Sequence, residues 1–453
     1  MSNHSREQWS SKFGFILASI GSAVGLGSIW KFPYIAGENG GGAFVLLFLL
    51  CVVLMGMPVL ISEIVLGRST QRNPVGAFRK LAPNTPWFIT GYIGIIATLL
   101  ILAFYSTVGG WTLTYTLDAF TNSFHQITIN EAESSFTTFI SHPFIPIFWQ
   151  AAFLILTMII CYFGLQKGIE RTNKILMPLL GILLVILVIR SVTLPGAMEG
   201  IHFILYPDWS KVTVSTFFEA LGMAFFSLSV GAGCMVTYGS FLSKKENIPN
   251  AVGNIVLFST LVSLAAGLAI FPAVFSLGYE PGIGPPLVFI TLPAVFAQMP
   301  AGGFFAALFF LLLTVAALTS AISLLEVSLR YTEDEHGWTR KKGIMIISTV
   351  IFLLGIPATL SYSSLSDFYT VSGLTIFDTL DFIASNVLLP LSGLTVILFV
   401  GWKWGVPLLL KESRGDLGKD LPFKTAWAFV IRWITPLLIV VVFLFQILSL
   451  LQK

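Results

Sequence analysis

The sequence predicts an all-α integral membrane protein with eleven membrane-spanning helices, built as two inverted five-helix repeats plus one additional helix. Three observations predict this fold class. Hydrophobic residues make up 55% of the 453 residues and charged residues only 10%, whereas soluble domains carry roughly 25% charged residues. Apolar runs of about 20 residues, each long enough to cross a bilayer, recur along the whole chain. Two of these runs are interrupted by glycine and serine, five spans apart.

Each long apolar run is assigned to one span. The predicted spans lie near Phe13–Ala36, Ala43–Leu66, Phe88–Phe120, Phe144–Phe163, Ile169–Val192, Thr216–Leu242, Ala251–Leu277, Gly303–Tyr331, Ile344–Leu360, Leu374–Trp402 and Trp427–Leu451. The apolar segment Pro285–Pro300 is short and rich in proline, so we expect a re-entrant or capping loop there.

Lysine and arginine predict the orientation, because cytoplasmic loops retain positive charge. If the N-terminus is inside, all but four of the 25 basic residues fall on one side, which we call the inner side. The exceptions are Lys31, Arg190, Lys211 and Lys453. An odd number of spans then places the C-terminus outside. We therefore expect a multi-pass protein of the cell membrane with a cytoplasmic N-terminus and an extracellular C-terminus.

The two interruptions carry the strongest functional signal. They read Gly21-Ser-Ala-Val-Gly-Leu-Gly-Ser28 in span one and Ser227-Leu-Ser-Val-Gly-Ala-Gly233 in span six. Irregular backbone persists at membrane depth only where it is buried in protein or lines a cavity. Paired breaks in two halves of a chain indicate a solute site near the bilayer midplane. A helix-packing motif is the alternative for the first break, but it does not account for the second.

The spacing of the breaks also predicts the domain organisation. Residues 10–192 form the first five-helix repeat, residues 214–402 form the second repeat in inverted orientation, and residues 427–451 add one helix. We expect a single transmembrane transport domain over residues 1–453.

Longer motifs around the breaks resemble the neurotransmitter:sodium symporter family, in particular its bacterial branch. They are Gly21-Ser-Ala-Val-Gly-Leu-Gly-Ser-Ile-Trp-Lys-Phe-Pro-Tyr34, Glu38-Asn-Gly-Gly-Gly-Ala-Phe44, Lys167-Gly-Ile-Glu-Arg171, Phe225-Phe-Ser-Leu-Ser229 and Ala317-Leu-Thr-Ser320. The resemblance covers Arg6 to about Pro436. It implies the LeuT-type fold with unwound helices one and six, and sodium-coupled import of a small solute by alternating access.

The resemblance also implies a substrate site. Backbone N–H groups at a half-helix N-terminus in the first break favour an anion such as a carboxylate. Family members that carry amines place aspartate at position 25, so Gly25 favours an α-amino acid. Ala232 stands where a leucine-transporting relative has a bulky aromatic residue, so large aliphatic and aromatic side chains, including that of tryptophan, are expected to fit. The implied substrate-binding residues are Ala23, Gly25, Leu26, Gly27, Ile101, Tyr105, Phe226, Ser227, Ser229, Ala232, Ser320 and Leu324.

Two sodium ions are implied as well. Carbonyl and hydroxyl oxygens without a fixed charge suit a hard monovalent cation. The second site would use Gly21, Val24, Ala316, Thr319 and Ser320, and the first site would use Ala23, Ser28, Ser227 and Ser259. Relatives often carry asparagine at the positions of Ser28 and Ser259. For Thr319 and Ser320, hydrogen bonding to the preceding helical turn is an equally good interpretation.

The resemblance also implies that transport is independent of chloride. Chloride-dependent relatives build their anion site from tyrosine, glutamine, serine and asparagine. The matching positions here are Phe48, Met223, Ser227, Ser259 and Ser263. The tyrosine and glutamine donors are thus absent, and Glu63 in span two is the candidate for balancing the sodium charge.

The remaining implied residues form gates. Lys31 and Asp381 would pair above the substrate with Phe226 as the lid, while Arg6 would pair with Asp334 below it. Snorkelling anchors are the alternative for these charges.

Two further features belong to the inner side. Trp9 would pack over the inner path. Gly168 and Pro178 bracket the inner end of span five, where unwinding would release sodium inward; a simple proline kink is the alternative.

Other function classes have weaker support. No channel filter or series of pore-lining charges is visible. The histidines lie near or outside span ends, which argues against a metal cluster or a membrane enzyme; they are His4, His125, His142, His202 and His336. A net charge of +3 gives no indication of nucleic-acid binding. A membrane sensor that binds the solute, or a channel, remains the alternative to concentrative transport.

Overall fold

The structure is a computed structural model that describes residues 7–124, 126–279, 287–370, 373–414 and 424–451. Within these residues, nine helices are long and apolar enough to cross a membrane. In chain order they are Gly42–Thr70, Phe88–Phe120, Ile145–Tyr162, Leu165–Val192, Ile248–Ser276, Gly302–His336, Arg340–Leu360, Ile376–Ser413 and Lys424–Leu448. They correspond to the predicted spans two to five and seven to eleven, and we keep those span numbers.

Span one is a broken helix. Its inner half Lys12–Ala23 and its outer half Gly27–Glu38 meet at an angle of 52°. Ser11 begins the inner half by accepting a hydrogen bond from the backbone N–H of Gly14. The helix stops at Val24, whose φ and ψ of −88° and 80° are not helical. The break is therefore only three residues long, shorter than the glycine-rich run that predicted it.

Span six consists of the helices Val214–Ser227 and Cys234–Gly239, separated by irregular backbone. Ser229, Gly231 and Gly233 all have positive φ, which prevents the helix from continuing through them. Each piece is too short to cross a bilayer alone. The predicted number of eleven spans therefore depends on counting this pair as one crossing, and helix length and composition do not establish it.

Several predicted boundaries differ from the structure by four residues or more, at spans two, five, eight, nine and ten. Span five begins at Leu165 with a π-helical turn rather than at Ile169. Span ten runs on to Ser413, beyond the predicted end at Trp402. Hydropathy locates the apolar part of a helix, whereas hydrogen bonding extends the helix past the membrane boundary.

The proline-rich segment forms the short apolar helix Leu287–Gln298, which is too short to span. Its Phe289 ring contacts Trp111 of span three at 5.7 Å and Tyr115 at 5.0 Å between centroids. Spans three and eight pack along each other, and the inner half of span one packs against spans five, seven and eight. The broken helices are thus enclosed by long continuous ones, which supply the fixed walls of the site.

Candidate substrate and sodium sites

A cavity containing about 420 Å³ of atom-free space lies between the two breaks. Its lining residues are Ser22, Ala23, Gly25, Gly27, Ile101, Tyr105, Phe226, Ser229, Ala232, Ser320, Leu324 and Leu389. The structure thus brings ten of the twelve predicted substrate-binding residues to one cavity.

Four positions differ between the prediction and the cavity wall. Leu26 and Ser227 were predicted but do not line this cavity, whereas Ser22 and Leu389 line it without having been predicted. Ser22 lies inside the first glycine-rich run, so that run was a sufficient signal. Leu389 reaches the site because span ten packs closely on the second break. A side chain at position 231 would overlap the Leu389 carbonyl.

The glycines of the first break allow side chains from other spans to approach the backbone. A Cβ atom at position 25 would overlap the Ser320 hydroxyl and lie 2.8 Å from the Tyr105 hydroxyl. A Cβ atom at position 27 would overlap the Phe226 ring. An aspartate at position 25 therefore does not fit this arrangement.

Tyr105 connects span three to the break. The backbone N–H of Leu26 donates a hydrogen bond to the Tyr105 hydroxyl over 3.2 Å. This places one hydroxyl and one backbone donor of the predicted carboxylate site together. Leu26 itself lines a second cavity on the outer side of Phe226.

Hydroxyl groups of spans six and eight hold the end of the inner half of span one. Ser229 Oγ donates to the Ser22 carbonyl at 2.6 Å. Ser320 Oγ lies 3.0 Å from the same carbonyl and 3.2 Å from that of Gly21. Carbonyls at a helix C-terminus form the negative end of the helix dipole. The inner half of span one therefore ends in an oxygen-rich region that suits a cation.

Thr319 and Ser320, which both belong to the predicted second sodium site, behave differently. The Thr319 hydroxyl donates to the Ala316 carbonyl of its own helix at 3.0 Å, which is the back-bonded arrangement. The Ser320 hydroxyl instead reaches span one. Ala316 and Thr319 are completely buried, and Val24 is as well.

The hydroxyls predicted for the first sodium site are all buried. Ser28 Oγ reaches across the break to the Ala23 carbonyl at 3.4 Å. Ser227 and Ser259 donate to carbonyls of their own helices. The outer half of span one packs against spans six and seven, which brings these elements together.

Glu63 on span two supports the second break. It is completely buried, and its Oε1 accepts a hydrogen bond from the Gly231 N–H at 2.7 Å. The other carboxylate oxygen has no hydrogen-bond partner among the described residues. A carboxyl group thus lies directly behind the unwound part of span six.

The predicted outer-gate residues lie together above the cavity. Lys31 Nζ is 3.6 Å from Asp381 Oδ2 and 5.0 Å from the centre of the Phe226 ring. The second cavity, with about 420 Å³ of atom-free space, lies between Phe226 and this pair.

Trp9, predicted to cover the inner path, packs among aromatic residues of spans one and six. Its indole N–H donates to the Tyr238 carbonyl at 3.0 Å. Its ring meets Phe15, Tyr238 and Phe241 edge-on, with centroids 5.2–6.1 Å apart. Arg6, predicted as the partner of Asp334, lies outside the described residues. Asp334 Oδ2 accepts a hydrogen bond from the Asn73 backbone N–H at 2.9 Å.

Sequence reasoning missed a charged cluster at the same end. Arg340 of span nine contacts both oxygens of the buried Glu326 on span eight, and it lies 3.2 Å from Glu333. Arg330 pairs with Glu333 and lies over the Phe241 ring at 4.6 Å. The available signal was the pair of glutamates seven residues apart, which share one face of an otherwise apolar helix.

At the inner end of span five, Gly168 belongs to a π-helical turn, Leu165–Glu170, and Pro178 lies inside the following helix. The Glu170 carboxylate accepts hydrogen bonds from the Ser10 N–H at 2.8 Å and the Ser10 hydroxyl at 2.6 Å. The segment that precedes span one is thus attached to the segment predicted to unwind.

The sequence model of the Sodium:neurotransmitter symporter family matches residues 6–138 and 145–453 of this chain. The chain belongs to this family. It is a multi-pass membrane protein of a family of sodium-coupled symporters, which are transporters and not enzymes.

Similar proteins from other organisms and a solved structure support this family assignment. The sodium-dependent transporter YhdH of Bacillus subtilis is 45% identical over 444 residues, which cover 98% of each chain. A sodium-dependent transporter of Haemophilus influenzae is 39% identical over 455 residues, again covering 98% of each chain. Among solved structures, MhsT in complex with L-phenylalanine matches with a TM-score of 0.90 and 45% identity, covering 97% of this chain and 99% of that chain. This symporter therefore has the LeuT-type fold.

Proposed function

We propose that this symporter imports hydrophobic L-amino acids, both large aliphatic and aromatic and including tryptophan, coupled to two sodium ions and independent of chloride. The observation that carries the proposal is the cavity between the breaks, whose wall combines polar groups with apolar side chains. The Tyr105 hydroxyl lies at the backbone of the first break, and Ile101, Phe226 and Leu324 supply apolar surface. The likeness to MhsT, whose structure contains L-phenylalanine, supports the same substrate class.

We propose a role for each end of the amino acid. The substrate carboxylate lies against the N–H groups of the first break and completes the first sodium site. The substrate ammonium faces the carbonyls that end the inner half-helix, where the dipole is negative. The side chain extends towards Ala232, whose single methyl group leaves room for an indole ring.

The proposed chloride independence is supported by the side chains at the positions of the family's anion site. Phe48 and Met223 are buried and carry no hydrogen-bond donor in their side chains. Ser259 and Ser263 donate to carbonyls within their own helix. Glu63, buried behind the second break, is the candidate group for balancing the sodium charge.

Transport proceeds by alternating access. The repeats at residues 10–192 and 214–402 move relative to each other about the site, and residues 427–451 form an appended helix. Lys31, Asp381 and Phe226 close the outer path, while Trp9 and the Arg6–Asp334 pair close the inner path. Sodium leaves inward when span five unwinds between Gly168 and Pro178.

Uptake in proteoliposomes tests the proposal. With an inward sodium gradient, labelled phenylalanine and tryptophan are expected to accumulate above their external concentration, and not when potassium replaces sodium. Replacing chloride by gluconate is expected to leave uptake unchanged. Binding without uptake would indicate a sensor, and flow only down the amino-acid gradient would indicate a channel; either result contradicts the proposal.

Ala232 tests the pocket. Ala232→Phe is expected to abolish tryptophan uptake while leucine uptake persists, because the new ring occupies the space of the larger side chain. Ala232→Gly, which adds no volume, is the matched control and should retain both. Unchanged tryptophan uptake by Ala232→Phe would contradict the assigned pocket.

The orientation is tested by labelling. The native cysteines Cys51, Cys161 and Cys234 are buried, which gives a low background. An impermeant thiol reagent added to intact cells should label Lys211→Cys and not Lys244→Cys. The reverse pattern would contradict a cytoplasmic N-terminus.

A further inference from the structure

Asn173 lies on span five, between Gly168 and Pro178, and is completely buried. Its Nδ2 donates a hydrogen bond to the Ile169 carbonyl at 2.9 Å. Because a carbonyl only accepts hydrogen bonds, this bond determines which end of the amide is the nitrogen. The amide oxygen Oδ1 has no hydrogen-bond partner among the described residues. Burying an amide acceptor without a partner is unfavourable, so this oxygen calls for an explanation.

The unpaired oxygen lies next to residues of the predicted second sodium site. A Cβ atom built on Gly21 would overlap Asn173 Oδ1 and lie 3.2 Å from the Thr319 Cβ. Gly21 and Thr319 are two of the residues assigned to that site. Asn173 Oδ1 therefore lies at the contact between spans one, five and eight, next to two residues assigned to the second sodium site.

The protein neighbours at this contact do not offer a proton to Oδ1. Gly21 presents its Cα, and the Met177 sulfur, 3.1 Å from the same Cβ position, is not a donor. The Thr319 hydroxyl already donates to the Ala316 carbonyl. A neutral amide oxygen has the character of a ligand for a hard cation.

We propose that Asn173 is a further sodium ligand, whose side-chain oxygen completes the second site from the side of span five. The assignment rests on the proposed function, since it requires that sodium binds at Gly21 and Thr319. It also connects the ion to the helix that unwinds. The Asn173 amide is held by the Ile169 carbonyl, inside the segment between Gly168 and Pro178. Unwinding this segment breaks that hydrogen bond and withdraws the amide oxygen from the ion, which favours inward release.

Sodium binding to purified protein tests the inference without relying on transport. Asn173→Ala removes the oxygen, and the sodium concentration needed for half-maximal phenylalanine binding is expected to rise about tenfold, in the range found when groups that support a metal site are removed. The sodium-dependent increase in melting temperature, measured without amino acid, is expected to shrink in parallel. Asn173→Asp keeps an oxygen at the position and adds a charge, so sodium affinity should return to at least the wild-type value while sodium dissociation slows.

Gln150 provides a matched control. It is also a completely buried amide, but its oxygen and nitrogen are paired with Thr359 and Ser106 and lie away from the sodium sites. Gln150→Ala should lower the melting temperature without changing sodium dependence. An unchanged sodium dependence in both Asn173 variants would overturn the inference and leave the proposed function intact. If phenylalanine binding to the wild-type protein did not depend on sodium, the proposed function itself would be overturned.

Discussion

The two ends of the transport path are closed by very different amounts of protein. On the outer side, one lysine–aspartate pair and one phenylalanine ring separate the central cavity from a wide vestibule containing about 1,350 Å³ of atom-free space. The Lys31 and Asp381 side chains remain 25% and 34% exposed, so water weakens their attraction.

On the inner side, several layers lie below the same cavity. Trp9 packs among aromatic rings, Asp334 holds the chain at Asn73, and Arg340 lies between Glu326 and Glu333. The Glu326 side chain is completely buried. We therefore expect the outer end to open by movement of a few side chains, whereas opening of the inner end requires rearrangement of a helix. This supports the proposed role for unwinding of span five.

The largest effect is expected at the buried pair. Glu326→Gln leaves Arg340 with one carboxylate partner instead of two, and breaking a buried ion pair commonly costs about 3–5 kcal/mol. The remaining contact with Glu333 places the expected loss near the lower limit, about 3 kcal/mol. Thermal unfolding in detergent measures it. A melting temperature equal to that of the wild type would show that this cluster does not hold the inner end closed.

A smaller effect is expected at the loop contact of span eight. Asp334→Ala leaves the Asn73 N–H without this acceptor, which costs about 1–3 kcal/mol, and should increase the time spent with the inner end open. Labelling of the native Cys234 by a thiol reagent is expected to accelerate, with buried Cys51 in span two as the internal reference. Equal labelling rates in variant and wild type would argue against the assigned inner gate.

Pro178→Ala tests whether the inner end opens by unwinding of span five. Alanine restores the helical N–H that proline lacks and removes the steric conflict with the preceding turn. Span five should then unwind less readily, and sodium release into the liposome interior should slow several-fold while sodium affinity stays within about twofold of the wild type. An unaltered release rate would favour the simple proline kink.

The outer pair should respond more weakly. Lys31→Ala removes an attraction of about 0.2–1 kcal/mol, so dissociation of bound phenylalanine to the outside should accelerate by no more than about fivefold. Lys31→Arg offers a forked donor group that can engage both Asp381 oxygens, so it should slow dissociation. If Lys31→Ala instead abolished folding, the outer closure would be as structural as the inner one.

The smallest effect is expected at an exposed ion pair of the inner side. Arg79 contacts Glu335 at 2.5 Å, but the Arg79 side chain is 46% exposed. Arg79→Ala should therefore change the free energy of unfolding by less than about 1 kcal/mol. It is the matched control for Glu326→Gln, since both variants remove one charge from an inner-side pair. A loss as large as that of Glu326→Gln would show that burial does not determine the difference.

A feature of the structure could be predicted from the sequence when it depends on residues that are adjacent in the chain. Broken helices require residues that tolerate irregular backbone, so Gly25, Gly231 and Gly233 were sufficient to predict both breaks. The residues of the cavity wall followed from the resemblance, because family motifs preserve spacing relative to those breaks. The span count was less certain, since span six is divided into two short helices that hydropathy alone treats as one run.

The sequence by itself determined the membrane class, the positions of the two breaks and most of the residues between them, because apolar length and backbone freedom are properties of contiguous residues. Tertiary structure decided the rest. Leu389 joins the cavity, Arg340 pairs with Glu326, and Asn173 directs an unpaired oxygen at Gly21 only through packing between distant spans. Such contacts depend on the rotation and depth of each helix against its neighbours, which the order of residues along one helix does not specify.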